Sequence, residues 1–180
     1  GLPPALAAKA ATTTIPIVFL MGADPVHLGV VASLNRPGGN VTGIAQMFGA
    51  LGPKRLELIR ELVPGAILVG VLTNPKTPNA QSHLSDIGAA ARSINQPLLV
   101  QPASSESELD AAFVTFVERG ARALLIADDP FFTSQRRQIV ALAARHRLPA
   151  IHYSRDFAAE GGLITYGSDA RHVARDLGVY

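Results

Sequence analysis

The fold class of this chain follows from one segment, which reads Leu68-Val69-Gly70-Val71-Leu72-Thr73-Asn74-Pro75-Lys76-Thr77-Pro78-Asn79-Ala80. Its opening residues are apolar or small without alternation, which is typical of a strand covered on both faces in a parallel sheet. The polar residues that follow then form a loop at the carboxyl end of that strand. Ligands of open α/β sheets bind outside the carboxyl ends of the strands, so this loop is a candidate for ligand contacts.

Two asparagines in this loop have both a structural and a functional interpretation. Asn79 precedes a helical pattern and is a good N-cap, and Asn74 stands before Pro75 in a turn-forming pair. Either structural role alone accounts for the residue. An amide at a strand end is also suited to holding a small ligand, so both asparagines are candidate site residues.

The composition describes an ordered globular protein and excludes several kinds of site. The chain has 180 residues, 48% of them apolar, with a mean hydropathy of +0.24. Its formal charge is only +2 despite a sequence pI near 9.3, which does not indicate a nucleic-acid partner. Without cysteine there are no disulfides, thiolate metal sites or cysteine nucleophiles. Every apolar run is shorter than the roughly 20 residues that span a bilayer.

Strand and helix patterns alternate about six times with short loops, which predicts an α/β fold with mainly parallel strands. A helix is predicted at 2–11, a strand at 15–20, and a second helix after the Asp24-Pro25 cap with an apolar stripe at Leu28, Val31 and Leu34. The weakest strand, 41–45, and the segment 47–52 mark the best candidate for a crossover between two lobes.

Later patterns give further elements. A helix opens at Pro53, with Leu56 and Ile59 buried and its charged residues, Lys54, Arg55, Glu57, Arg60 and Glu61, predicted to be solvated. A basic amphipathic helix is predicted over 134–147. The residues 152–157 are predicted to form a polar loop, and a last helix starts near 167.

No enzyme signature is present: the chain lacks G-x-G-x-x-G, G-x-x-x-x-G-K-[ST], G-x-S-x-G and H-E-x-x-H. Its histidines are scattered without metal-ligand spacing. We therefore predict neither a metal nor a cofactor nor a catalytic residue.

What remains is a set of polar loops at carboxyl ends of strands: 22–25, 73–79, 128–132, 152–156 and 166–169. Helix N-termini there suit a carboxylate, while Asp side chains suit an ammonium group, so a zwitterion would satisfy both. The candidate ligand-binding residues are Asp24, Asn74, Asn79, Asp128, Tyr153 and Asp156. Aromatic walls are predicted from Phe131, Phe132, Tyr153 and Tyr166, although the two phenylalanines are equally explained by packing under their loop.

The two neighbouring acids, Asp128 and Asp129, have competing interpretations. In one, Asp128 offers a charge to a ligand ammonium. In the other, Asp129 is the cap before Pro130 and Asp128 is a solvated neighbour.

Several runs together resemble the family of ABC-transporter periplasmic substrate-binding proteins related to the tryptophan and tyrosine binders. They are 9–19, Gly22-Ala23-Asp24-Pro25-Val26, 33–43, Lys54-Arg55-Leu56-Glu57-Leu58, Asn74-Pro75 with Pro78-Asn79-Ala80, 127–132, and Gly161-Gly162-Leu163 with Tyr166-Gly167. The resemblance covers essentially the whole chain.

This resemblance implies a type I periplasmic-binding-protein fold, in which two α/β lobes close on a small ligand by hinge motion. It places 1–46 in a first lobe, 47–161 in a second lobe and 162–180 in a return to the first. It also implies that the first lobe is incomplete here. The apolar surface then left on Ile17, Phe19 and Ile164 predicts a homo-oligomer through the first lobe.

The implied function is the capture of a small organic ligand for an ABC import system, with the membrane permease as partner and no nucleic acid. The implied location is periplasmic or membrane-anchored and extracytoplasmic, with the signal segment absent from this chain. Two alternatives stay open: a ligand-sensing domain of a signalling or transcription regulator, and an uncharacterised α/β enzyme.

Overall fold

The computed structural model describes residues 2–21, 24–45, 51–167 and 175. The chain forms two compact units, one made of Gly1–Phe48 with Ser168–Tyr180 and the other of Gly49–Gly167. We call them the first and the second unit. Among the described residues, no helix combines the length and the apolar character needed to cross a membrane.

The described part of the first unit includes a helix and a pair of strands. Its elements are α1 (Leu2–Ala11), β1 (Ile17–Met21) and β2 (Val41–Ala45), and the two strands pair in parallel with Ile17 opposite Val41. Its core gathers Ala5, Phe19, Met21, Val30, Val31 and Val41. The sequence-based prediction that Phe19 is left uncovered is therefore wrong, because its side chain is only 6% exposed.

The helix predicted after Asp24 is not present. The carboxylate of Asp24 accepts from the backbone N–H groups of Val26 and His27, as a cap does, at 2.8 and 3.2 Å. The segment then continues as turns instead of a helix. Gly29 has φ of +68°, a left-handed conformation that stops the helix after a single turn. Leu34, which the sequence predicts to lie in the buried apolar stripe, is 64% exposed.

The second unit is a parallel sheet flanked by helices. Its strands are β3 (Val69–Thr73), β4 (Leu98–Pro102), β5 (Ala123–Ile126), β6 (Ala150–His152) and β7 (Ile164–Thr165). Its helices are α2 (Gly52–Leu62), α3 (Ala80–Ser93), α4 (Glu106–Glu118), α5 (Pro130–Ser134), α6 (Arg136–Arg145) and α7 (Arg155–Ala159). Every strand pair in both sheets is parallel, so the predicted α/β class is confirmed.

The central strands are buried on both faces because their side chains alternate between two cores. Val69 and Val71 of β3 pack with α2 and α3, whereas Leu72 packs on the other face against α4 and its neighbours. In β5, Leu125 belongs to the first of these cores and Leu124 to the second. This double coverage is the reason that these strands lack polar alternation in the sequence.

The strand order of the second unit is β4-β3-β5-β6-β7. From β3 the chain moves outward to β4, then returns to place β5 on the other side of β3. The direction of winding therefore reverses between β3 and β5. At such a reversal the loops after the two strands diverge to opposite faces and leave a crevice at the carboxyl edge of the sheet.

Two predicted segments of the second unit differ in the structure. The helix predicted over 134–147 is shorter, because Gln135 separates α5 from α6. The polar loop predicted at 152–157 contains α7, which Ser154 caps by accepting from the backbone N–H of Asp156 at 3.3 Å.

The lobe boundaries predicted after residues 46 and 161 stay predictions. In the structure β7 pairs with β6, so residues 164–165 lie in the sheet of the second unit. Of the segment 47–52 in the predicted crossover, residues 47–50 lie outside the described residues, and so does most of the predicted last helix.

Gly70 tests the close contact between the central strand and α4. A Cβ at this position would lie 2.5 Å from a methyl group of Leu124 and 2.6 Å from the ring of Phe116. We expect Gly70→Ala to lower the free energy of unfolding by about 1–3 kcal/mol, because the core has no room for the methyl group. Urea unfolding measures the effect.

Gly88→Ala is the matched control, since Gly88 lies within α3 and its added Cβ would meet only the mobile end of Arg92 at 3.5 Å. We expect this change to be stabilising by up to about 1 kcal/mol. Equal effects of the two substitutions would contradict the packing described here.

Candidate ligand-binding site

The loops after β3 and β5 meet at the carboxyl edge of the second unit, and Asp129 joins them. The side-chain amide of Asn74 donates to Oδ1 of Asp129 at 3.1 Å, and the hydroxyl of Thr77 donates to Oδ2. Asp129 also caps α5 by accepting from the backbone N–H of Phe132 at 3.2 Å. Asp129 is 6% exposed and both its oxygens are engaged, so it acts as a structural tie between the loops.

Asp128, next to it, forms a buried ion pair with Arg55. The two terminal nitrogens of Arg55 donate to the two oxygens of Asp128, each at 2.8 Å. The side chains are 2% and 9% exposed. This paired-fork geometry is the strongest form of an Arg–carboxylate contact, and it fixes the direction of the Asp128 carboxylate.

The prediction that Arg55 is solvated is wrong. Arg55 precedes Leu56 on α2 and lies one helical turn before Ile59, so all three fall on the buried side of the helix. The spacing to Ile59 is the signal in the sequence that points to this burial. Its partner is 73 residues away along the chain, and no local pattern identifies it.

Tyr153 ties the loop after β6 to the same edge. Its hydroxyl donates to the backbone carbonyl of Asp129 at 2.5 Å and contacts the hydroxyl of Thr133 at 2.6 Å. The guanidinium carbon of Arg55 lies 6.0 Å from the centre of its ring. Burial raises the pKa of the Tyr153 phenol far above its ordinary value, so the hydroxyl stays a neutral donor.

Asn79 occupies the N-cap position of α3, but its side chain does not cap the helix. Its amide nitrogen instead lies 2.8 Å from Nε2 of His83. Burial is the main cause that lowers the pKa of His83, which favours a neutral ring that accepts this hydrogen bond. Asn79 is thus at the predicted N-cap position, but its side chain makes no capping hydrogen bond.

The remaining candidates, Asp156 and Asp24, are described each within its own unit. Asp156 is exposed in the first turn of α7. Asp24 is exposed in the first unit, where its carboxylate caps a turn. Of the predicted loops, those at 73–79, 128–132 and 152–156 are joined by hydrogen bonds, whereas Gly22 and Ala23 lie outside the described residues.

The aromatic residues at this edge separate into a packed and a partly open group. Phe132 is fully buried and packs under its loop, its ring 5.8 Å from that of Phe131. Phe131 is half-buried, and Tyr166, whose backbone N–H donates to His152, is 39% exposed. Within the described parts of the chain, no group of three His, Asp or Glu side chains could hold a metal ion.

Comparison with known proteins assigns the chain to a family. The family model for ABC transporter substrate binding proteins matches residues 1–179. The chain belongs to that family.

A curated relative, the tyrosine-binding protein of Clostridioides difficile, is 30% identical over 167 residues, which are 93% of this chain and 48% of that protein. The family member described here therefore spans about half the length of this relative.

Two solved structures show the fold. A conserved domain protein from Vibrio cholerae matches with a TM-score of 0.82 and 26% identity, over 99% of this chain and 60% of that one. An ABC domain from Streptococcus pneumonia in complex with L-Trp matches with a TM-score of 0.73 and 24% identity, over 99% and 59%. The predicted periplasmic-binding-protein-like fold is confirmed.

His152 provides a pH-dependent test of β6, the strand that precedes Tyr153. It is 1% exposed, its ring stacks on Phe157 at 4.4 Å, and its Nδ1 has no hydrogen-bond partner among the described residues. Burial lowers its pKa from 6.5 to about 4, so the folded protein keeps the ring neutral. Its contribution to stability is therefore complete above the unfolded pKa and is lost as the pH falls from 6.5 towards 4.

We expect this group to remove about 2 kcal/mol from the free energy of unfolding between about pH 7 and about pH 5. The substitution His152→Phe keeps a ring against Phe157 and removes the titration, so it should flatten that part of the profile. Denaturant unfolding of both proteins across the range measures it. An identical acid loss in the two proteins would contradict the assignment.

Proposed function

We propose that this protein captures an aromatic amino acid, with tyrosine as the first candidate, and delivers it to the permease of an ABC import system. One observation carries the proposal: the loops after β3 and β5, where the winding of the sheet reverses, hold Asn74, Asp128 and Asp129 in fixed positions, with the half-buried Phe131 beside them in the chain. The tyrosine-binding relative supports the choice of ligand class. The same proposal assigns no catalysis to the chain and places the protein outside the cytoplasm.

In this proposal Asp128 receives the ammonium group of the ligand. Arg55 uses one direction of each carboxylate oxygen, and every such oxygen has a second lone pair. The ion pair also holds the carboxylate in one orientation before the ligand arrives, so little ordering is needed on binding.

Asn79 and the aromatic residues complete the proposed contacts. With its amide nitrogen directed at His83, Asn79 keeps its carbonyl oxygen for an N–H of the ligand. Phe131 and Tyr166 are partly open and are suited to contact a ring. Asn74 and Tyr153 contribute indirectly, because both form a hydrogen bond with Asp129 and hold its loop in place.

Association of two copies through the first unit stays a prediction. Ile15, Val18 and Leu34 of that unit are 65%, 42% and 64% exposed, which supports an apolar contact there.

A cycle of one substitution and one ligand change tests the proposed ammonium contact. We expect Asp128→Asn in the full-length protein to weaken L-tyrosine binding roughly ten- to a hundredfold, because a charge-assisted hydrogen bond is lost. The desamino analogue 3-(4-hydroxyphenyl)propanoate should bind wild type more weakly than tyrosine, yet bind the variant almost as well as tyrosine does. Calorimetric titration supplies the affinities.

The exposed Asp110 of α4 provides the control substitution Asp110→Asn, which should leave both affinities unchanged. If removing the amine costs the same affinity in wild type and in Asp128→Asn, the amine partner lies elsewhere. If wild type binds no aromatic amino acid, the ligand class itself is wrong.

A further inference from the structure

The amino-terminal edge of the second unit's sheet, opposite the candidate site, carries a surface that ligand binding does not use. The loops before β3, β5 and β6 meet there and line an open groove of about 730 Å³. Its lining includes Ala66, Arg122, Arg147 and Pro149. We call the loops 62–67, 119–122 and 145–149 the basic edge.

The basic edge has an excess of unpaired positive charge. Its exposed arginines are Arg119, Arg122, Arg145 and Arg147. The ion pairs of the described residues involve Lys54, Arg55, Arg136 and Arg137, and none of the four edge arginines. The acids next to the edge along the chain are Glu61 and Glu118, so positive charge predominates there.

A helix end alone does not explain these arginines. Cations are favourable in the last turn of a helix, which accounts for Arg145 and for Arg119 at the C-cap of α4. Arg122, however, lies in the loop before β5. Arg147, which follows α6, has φ of 54°, in the left-handed region. After α4 the residue in that region is Gly120. An arginine at such a position is disfavoured for the backbone.

Aliphatic side chains project beside this charge. Ile67 is 79% exposed and Leu62 58%. The loop that carries Ile67 is held in place by Gln96, whose buried amide nitrogen donates to the carbonyls of Ala66 and Ile67 at 3.1 and 3.0 Å. Ile67 is therefore presented to solvent by a fixed loop.

We propose that the basic edge docks on the surface of an anionic phospholipid bilayer. Arginines attract anionic headgroups, and single projecting aliphatic side chains enter the boundary between headgroups and acyl chains. A protein partner would need a complementary surface of about 1,000 Å² or more, whereas the large exposed aliphatic side chains of the three loops are Ile67 and Leu62. The bilayer is thus the occupant that fits both features, and the inference does not depend on the identity of the transported ligand.

Flotation of the full-length protein, in soluble form, with lipid vesicles tests this inference. We expect binding to phosphatidylcholine vesicles that contain phosphatidylglycerol and none to phosphatidylcholine alone. The triple variant Arg119→Gln/Arg122→Gln/Arg147→Gln should partition roughly a hundredfold less, since each basic side chain near an anionic surface contributes about fivefold. Ile67→Ser should weaken the binding that survives in roughly 0.5 M salt, where the charge attraction is screened.

The matched control removes the same charge from the opposite edge. Helices run antiparallel to the strands they follow, so Lys54, Lys76 and Arg137 lie at the carboxyl edge. The variant Lys54→Gln/Lys76→Gln/Arg137→Gln has the same net charge as the first triple variant and should keep vesicle binding. Circular dichroism checks that every variant is folded.

Three results would overturn the inference. They are the absence of binding to phosphatidylglycerol vesicles, equal losses in the two triple variants, and retention by immobilised poly-L-glutamate without binding to vesicles. The last would assign the basic edge to an acidic polypeptide instead.

Discussion

The ion pair between Arg55 and Asp128 is the contact on which the ligand-facing edge depends. Two charges are withdrawn from water at 2% and 9% side-chain exposure, and their separation of 2.8 Å must offset that desolvation. Such a pair adds little net stability compared with apolar residues of similar size. Its effect is on arrangement: either charge left alone in the same place is strongly unfavourable, so α2 and the end of β5 are held together.

The adjacent aspartates divide two tasks that the sequence does not separate. Asp129 gives its oxygens to Asn74, Thr77 and the first turn of α5, and so closes the loops over the strand ends. Asp128 faces Arg55 and keeps lone pairs for a further donor. Both residues lie in the short connection between β5 and α5, and Asp129 has an extended backbone, so the neighbouring side chains point in different directions and meet different partners.

The fold was predictable from sequence to the extent that its signals are local. The uninterrupted apolar runs of β3 and β5 and the cap at Asp129-Pro130 each reflect a few consecutive residues. The wrong helix prediction after Asp24 also has a local cause, because Gly29 at positive φ stops the helical turn despite the helical spacing of Leu28, Val31 and Leu34. The helical spacing of apolar residues carries no information about a single glycine that stops a helix after one turn.

The candidate site was predictable only in part, for a different reason. Asn74, Asp128 and Tyr153 were identified from their position after strands, which topology brings to one edge. Arg55 was missed because burial of a charge is decided by its partner, and that partner lies on a strand end far along the chain. Whether Asn79 caps its helix or turns to His83 depends in the same way on a neighbouring side chain.

The most direct test of this account is a double-mutant cycle on the ion pair. Arg55→Met and Asp128→Leu, alone and combined, are compared by urea unfolding of the protein without ligand. Each single change leaves one buried charge unpaired and should cost about 3–5 kcal/mol of the free energy of unfolding. The double variant, which leaves no charge, should be more stable than either single variant, whereas a double variant that loses the sum of the two single effects would contradict the central role of the pair.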